Sequence, residues 1–319
     1  MRRRELLLTF GSTALACSTG TEGSPLRARR GVAAETKKIT EGMVSRSDPP
    51  ALRLVRDKLA PLHHRTEKPK PGDWLYDHPE GGQTFEEYLV SEPTRPTPNR
   101  RTLVVAPLGE MPPASLRIVE RTTEYLGLHF GLPTRVAPAI ALDPPSSARR
   151  EKFGSEQFLT RWILDRLLPK YLPDDAAALI GFTATDLWPG ENWNFVFGEA
   201  TFSERVGVWS LHRFGDPSAG ADAERTALLR ALKIAVHETG HMFSLPHCTK
   251  YPCVQAGTNS MDETDLSPLW LCPECLPKIA WVTATDPRAR LAETSRFCAA
   301  HGLKAEAAFL DRSLAALEA

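Results

Sequence analysis

The chain has 319 residues, of which 42% are hydrophobic and 24% charged; this is ordinary soluble globular composition, long enough for one large domain and an unstructured lead segment. Lys+Arg and Asp+Glu both number 39, so the formal net charge is zero, which excludes the basic footprint of nucleic-acid binding and a polybasic membrane patch. No stretch approaches the roughly 20 apolar residues that a spanning helix needs.

The opening residues, MRRRELLLTFGSTALACSTG, carry a basic group (Arg2, Arg3, Arg4), a short apolar run from Leu6 to Ala16, and then Cys17. The run is too short to cross a bilayer and has the flanks of an export signal. Ala14-Leu15-Ala16-Cys17 is an imperfect lipobox, in which Cys17 would be acylated and become the mature N-terminus. Arg3-Arg4-Glu5-Leu6-Leu7 also resembles a twin-arginine signal. An ordinary secretory signal with a chance cysteine is the alternative. The expectation is an exported protein, anchored by lipid at Cys17 to the bacterial cell envelope. Residues 1–17 are then signal and lipobox, 18–65 a tether and variable N-terminal segment, and 66–315 the functional domain. The tether, to about residue 50, is small, polar and charged with no apolar period.

Ala51 to Leu62 has the pattern of a short helix. The following stretch, KPKPGDWLYDHPEGGQTFEEYLVSEPTRPTPNRR, is punctuated by Pro and Gly and reads as loop with a short helix around Thr84 to Val90. From there α and β signals alternate. Arg101 to Leu108 is a β-branched run suited to a buried strand, and Ser115 to Phe130 has helical periodicity. Thr134 to Ala139 reads as a second strand, Glu156 to Leu172 as a helix, and Ala176 to Phe182 as a third strand. Phe195 to Phe197 and Val206 to Leu211 read as further strands, Ala223 to Phe243 as a long helix, and Asp286 to Ala319 as helical. This order predicts an α/β fold with a mixed twisted sheet.

The long helix carries the chemistry. His237 and His241 are four residues apart, so on a helix they share one face and both imidazoles can reach one metal. Glu238 sits one residue on, beside the metal, where it can take a proton from a zinc-bound water whose pKa falls from about 15.7 to about 7. The third ligand is His247, six residues past His241. No regular helix brings it to the same metal, so the chain must stop near Phe243 and turn back. In HExxHxxGxxH a glycine supplies the positive φ of that turn; here Ser244 holds the position and Pro246 stiffens the return. Three protein ligands leave a position open, the mark of a catalytic rather than a structural zinc.

Cys248-x4-Cys253 and Cys272-x2-Cys275 are paired knuckles separated by 18 residues. Four thiolates in this pairing suit a closed tetrahedral zinc; two local disulfides are the rival in an exported protein, and Cys272-x2-Cys275 also has redox spacing. Cys298 lies outside the set and reads as an inert buried thiol. The expected cofactors are two Zn²⁺ per chain, one catalytic and one structural. Asn192, Trp193 and Trp188 are candidates for substrate contact, with aromatic packing as the alternative.

Together, His237, Glu238, His241, His247, Cys248, Cys253, Cys272 and Cys275 resemble the archaemetzincins, a branch of the metzincin metallopeptidases. GDWLYDHPEGGQTFEEYL from Gly72, LWPGENWNFVFGEA from Leu187, RVGVWSL from Arg205 and LCPECLPKI from Leu271 agree with the likeness. It implies a zincin fold: a mixed twisted sheet, a long active-site helix and a smaller C-terminal subdomain. It also implies peptidase activity, of aminopeptidase type, on a peptide or protein substrate, with a rim strand around Asn194 to Phe197 that could receive an extended peptide. A monomer is expected. The sequence departs from the family at Ser244 and at Gln255, which stands where the family has the methionine flooring the zinc site. A catalytically weak zinc- and peptide-binding pseudoprotease is therefore the alternative function.

Overall fold

The structure, a computed structural model, describes residues 49–319; Cys17, the export signal and the tether to residue 48 lie outside the described residues. Helix α1 (Pro50–Leu59) starts with proline, whose fixed φ suits a first helical turn. Its Leu52, Val55 and Leu59 form one buried stripe. A single turn, α2 (Trp74–Asp77), precedes α3 (Phe85–Val90). Thr84 and Glu87 cap α3 reciprocally, each side chain accepting from the other's backbone N–H.

Strand β1 (Thr102–Leu108) leads into α4 (Pro113–Phe130), and β2 (Thr134–Val136) returns parallel to β1. Next comes a hairpin of β3 (Arg149–Lys152) and β4 (Ser155–Leu159), followed by α5 (Thr160–Trp162) and an irregular helical run to Tyr171. The helix expected over Glu156 to Leu172 is thus a strand in its first part. The cause is local: Phe153 and Gly154 both have positive φ (56° and 74°) and join Lys152 to Ser155 in a two-residue turn, the geometry that right-handed strand twist favours. β4 then pairs in parallel with β6 (Asp186–Trp188). A short apolar run such as Phe158, Leu159, Trp162 and Ile163 fits either period, and pairing decides.

Strands β5 (Ala176–Thr183), β7 (Gly198–Ala200) and β8 (Val206–Ser210) complete a mixed five-stranded sheet in the order β2-β1-β5-β8-β7. Four strands are parallel and β7 runs antiparallel at the edge. The strand expected at Phe195 to Phe197 forms instead at Gly198–Ala200, because those three residues meet Trp209, Val208 and Gly207 of β8. Only Val196 of the aromatic run bridges another strand, at Leu187.

Alternation along β1 divides the core. Leu103 and Val105 join one cluster with residues of α4 and of the 22-residue helix α6 (Ala221–Met242). Val104, Ala106 and Leu108 face the other side, against Phe158, Ile163, Leu164 and Leu167. Burial on both faces is what a parallel strand requires. After α6 come α7 (Met261–Leu266), α8 (Cys275–Thr283), α9 (Pro287–Ala300) and α10 (Lys304–Glu318). Helix α1 packs against α8 and α10. Among the described residues the packed body therefore includes α1, because its buried stripe needs those helices to exclude water from it.

Candidate metal centres

Two clusters among the described residues bring together ligand atoms lying within 4.8 Å of one another: His237, His241 and His247, and Cys248, Cys253, Cys272 and Cys275. The first is built at the end of α6. His237 and His241 lie one turn apart, with Nε2 atoms separated by 3.1 Å. The helix stops at Met242, and the N–H groups of Phe243 and Leu245 both return to the carbonyl of Gly240, at 3.1 Å each. Ser244 has φ +63°, the left-handed conformation the turn demands. Its hydroxyl accepts from the N–H of Thr94 at 3.0 Å. The reversed chain delivers His247 to the same point.

Each Nδ1 is tied elsewhere. His237 Nδ1 donates to the Val254 carbonyl at 3.0 Å and His241 Nδ1 to the Leu245 carbonyl at 2.6 Å. His247 Nδ1 meets the two carboxylate oxygens of Glu80, at 2.8 and 3.0 Å. Pinning the proton on Nδ1 leaves the Nε2 lone pairs converging on one another, as binding of a common cation requires. Burial and the neighbouring His247 lower the His237 pKa to about 3, and burial with His237 and His247 holds His241 well below its usual range. Neutral imidazole is the form that binds metal. The donor set fits zinc.

Glu238 lines the same cleft. Its Cγ packs on Gly198 of β7, where a Cβ would come within 3.2 Å of it. Burial, then the Glu199 carboxylate, pushes the Glu238 pKa up to about 8. Trp74, Trp193, Phe197 and Lys233 are among the other lining residues. Of the candidate substrate contacts, Trp193 reaches the cleft. Trp188 and Asn192 do not line it; the Trp188 ring lies under the Arg150 guanidinium, 4.2 Å from its centroid.

The second cluster follows without a break, since Cys248 is the next residue after His247. Cys248 Sγ lies 3.6 Å from Cys272 Sγ, and the Cys272 N–H donates to Cys253 Sγ at 3.3 Å. All four thiols are free and buried. They converge on one point rather than separating into two local pairs, as the disulfide alternative would need. Glu274, inside the second knuckle, is bound by Lys250 and Arg56 and accepts from the Phe85 N–H at 3.1 Å. This ties the thiol loop to the N-terminal segment. Cys298 is buried at a distance from the cluster, and burial pushes its pKa up to about 12.

Glu80, Trp74 and Glu199 are the site neighbours that spacing alone did not single out. Glu80 and Trp74 stand in GDWLYDHPEGGQTFEEYL, and their only sequence signal was that stretch's likeness to a family.

Comparison with known proteins agrees with the metal motifs. The model of peptidase family M54 matches residues 175–280. Archaemetzincin-2 of Homo sapiens is 32% identical over 245 residues, covering 66% of this chain and 67% of its own. The archaemetzincin of Pyrococcus furiosus is 33% identical over 181 residues, covering 56% of this chain and 93% of its own. Among solved structures, the archaemetzincin of Methanopyrus kandleri matches 59% of this chain and 98% of that chain, at 28% identity and a TM-score of 0.48.

Proposed function

This chain belongs to the archaemetzincin family of zinc-dependent peptidases, and from that premise we propose that His237, His241 and His247 hold a catalytic zinc and that Glu238 is the general base of peptide hydrolysis. The observation that carries the assignment is the convergence of three imidazoles whose Nδ1 protons are engaged elsewhere, beside a half-buried carboxylate in the cleft wall. When bound, zinc supplies Lewis-acid polarisation of the scissile carbonyl and acidifies water in the cleft.

Glu238 takes a proton from water as the water oxygen bonds to the carbonyl carbon. It returns that proton to the amine nitrogen as the C–N bond breaks. Strand β7 is an edge strand beside Glu238, so an extended peptide can pair with its free edge. The arrangement of α6, the mixed sheet and the C-terminal helices is read as zincin-like. The finer action implied by the resemblance is that of an aminopeptidase on a peptide or protein substrate.

The thiols of Cys248, Cys253, Cys272 and Cys275 would hold a second, structural zinc, since four soft donors leave no open position. Gln255 donates to the His237 carbonyl rather than reaching into the space between the Nε2 atoms, so it leaves the ligand set whole. Export and attachment through Cys17 form the outer part of the proposal and rest on the leader sequence alone; the mass of the mature N-terminus tests them. A digest of a peptide library by the purified chain, with metal analysis and Glu238→Gln as control, tests the rest. Zinc-dependent release of N-terminal residues, lost in the variant, is the expected result; no cleavage by zinc-loaded protein would reject it.

A further inference from the structure

The three imidazoles are not held in the same way. His237 and His241 give their Nδ1 protons to backbone carbonyls of Val254 and Leu245, close to the metal-binding turn. His247 gives its proton to a carboxylate, and that carboxylate belongs to Glu80, 167 residues earlier in the chain. Glu80 also accepts from the indole N–H of Trp74 at 2.8 Å, and the Trp74 ring stands edge-on to His247 with centroids 5.0 Å apart. From these contacts we infer that Glu80 is a positioning residue for the third metal ligand, and that the segment Trp74–Glu80 is a strap that sets the aim of His247. The inference rests on the zinc site proposed above and adds a part to it.

The strap is docked at several points, so the Glu80 carboxylate is not a chance neighbour. The Trp74 N–H donates to Glu263 at 3.0 Å, and Asn259 Nδ2 donates to Asp77 at 3.0 Å and to the Gly72 carbonyl at 3.3 Å. Further along, Lys278 Nζ donates to the Gln83 carbonyl at 2.7 Å. The Trp74 indole lies against Gly257, where a Cβ would come within 2.4 Å of the ring. Any side chain there would push the indole off its seat. Trp74 and His247 both line the catalytic cleft and a neighbouring pocket, which Glu80 also lines. Trp74 is the strap residue shared by the two spaces.

An ionised carboxylate on Nδ1–H does two things that a backbone carbonyl does less strongly. It fixes the tautomer with Nε2 unprotonated, and it raises the donor strength of that Nε2. Removing such a partner typically weakens a metal site by about 10- to 100-fold. Glu80→Gln keeps the shape and one acceptor oxygen but removes the charge; Glu80→Ala removes both. A graded loss follows, small for Gln and larger for Ala.

The test is zinc competition against a chromophoric chelator, using full-length wild type, Glu80→Gln, Glu80→Ala and Gly257→Ala, with His247→Ala as the reference for loss of the ligand itself. The thiol-site zinc, read by native mass spectrometry, reports that each variant is folded. Expected are two zinc ions in wild type and zinc affinity at the histidine site falling in the order wild type, Gln, Ala. Gly257→Ala is expected to lower it as well, without touching Glu80, which keeps the strap testable if an 80 variant fails to fold. Cobalt substituted at the histidine site should show a shifted visible spectrum in the Glu80 variants. On peptide substrate, kcat should fall with KM nearly constant. Wild-type affinity and an unchanged cobalt spectrum in Glu80→Ala and Gly257→Ala would overturn the inference while leaving the zinc site standing. Failure of wild type to bind zinc at the histidines would overturn the site as well.

Discussion

Gln255 lies beneath His237, its Nε2 donating to the His237 carbonyl at 3.2 Å while its Oε1 is buried with no hydrogen-bond partner among the described residues. The same Oε1 stands 2.1 Å from where a Cβ on Gly240 would be, so the amide is packed hard against α6. It also lies near His241 Nδ1, at 3.4 Å through Nε2. Since that Nδ1 already donates to Leu245, it has no lone pair to offer, and the shorter bond to His237 is the real one.

A buried acceptor without a donor costs roughly 1–3 kcal/mol, and the one hydrogen bond that Gln255 does make offsets part of that. Gln255→Met keeps the volume and removes both. It should raise stability by about 1 kcal/mol, seen as a higher urea midpoint with an unchanged slope in excess zinc. A lower midpoint would mean that the bond to His237 outweighs the orphaned oxygen.

Ser244 carries two opposed effects. Its left-handed backbone costs about 1 kcal/mol relative to glycine, while its hydroxyl accepts from Thr94, a bond worth about 1 kcal/mol. Ser244→Gly should therefore change stability by less than about 0.5 kcal/mol, whereas Ser244→Ala should cost about 1 kcal/mol, because it keeps the strain and loses the bond. Denaturant unfolding of the pair measures the difference; equal destabilisation by both would remove the argument.

The two ligand sets predict two zinc ions per chain under native mass spectrometry. His241→Ala should leave one, held by the thiols. Cys272→Ser should lose the thiol-site ion and lower thermal stability, since the cluster is buried and closes the loop between α6 and α8. If His241→Ala lost both ions, the sites would be one folding unit and the division of roles wrong.

Glu238→Gln should bind zinc as wild type does, because Glu238 contributes no ligand atom to the histidine cluster. Its kcat should fall by on the order of 10²-fold or more, the usual worth of a positioned general base. Retained turnover with full zinc would show that another group, with Glu199 the nearest candidate by its effect on Glu238, moves the proton.

The candidate metal-ligand clusters are legible because their spacing is local. His237 and His241 recur at helical period, and the cysteines sit in short knuckles, so geometry follows from sequence distance alone. The same holds for β1, α4, β5 and α6, whose runs are long enough for one period to prevail. Where runs are short, sequence distance fails. Phe158 and Leu159 fit a helix as well as a strand, and Phe195 and Phe197 fit a strand that forms three residues later; in both places the pairing partner decided.

Contacts between distant segments follow only from folding. Nothing in the spacing of Glu80 foretells that it meets His247, or that α1 is seated on α8 and α10, or that Gln255 spends its amide on a helix carbonyl. The sequence determined which atoms can bind metal, because that depends on side-chain chemistry and on one turn of helix. How strongly those atoms are aimed depends on their partners, which the chain reaches only after it has folded back on itself.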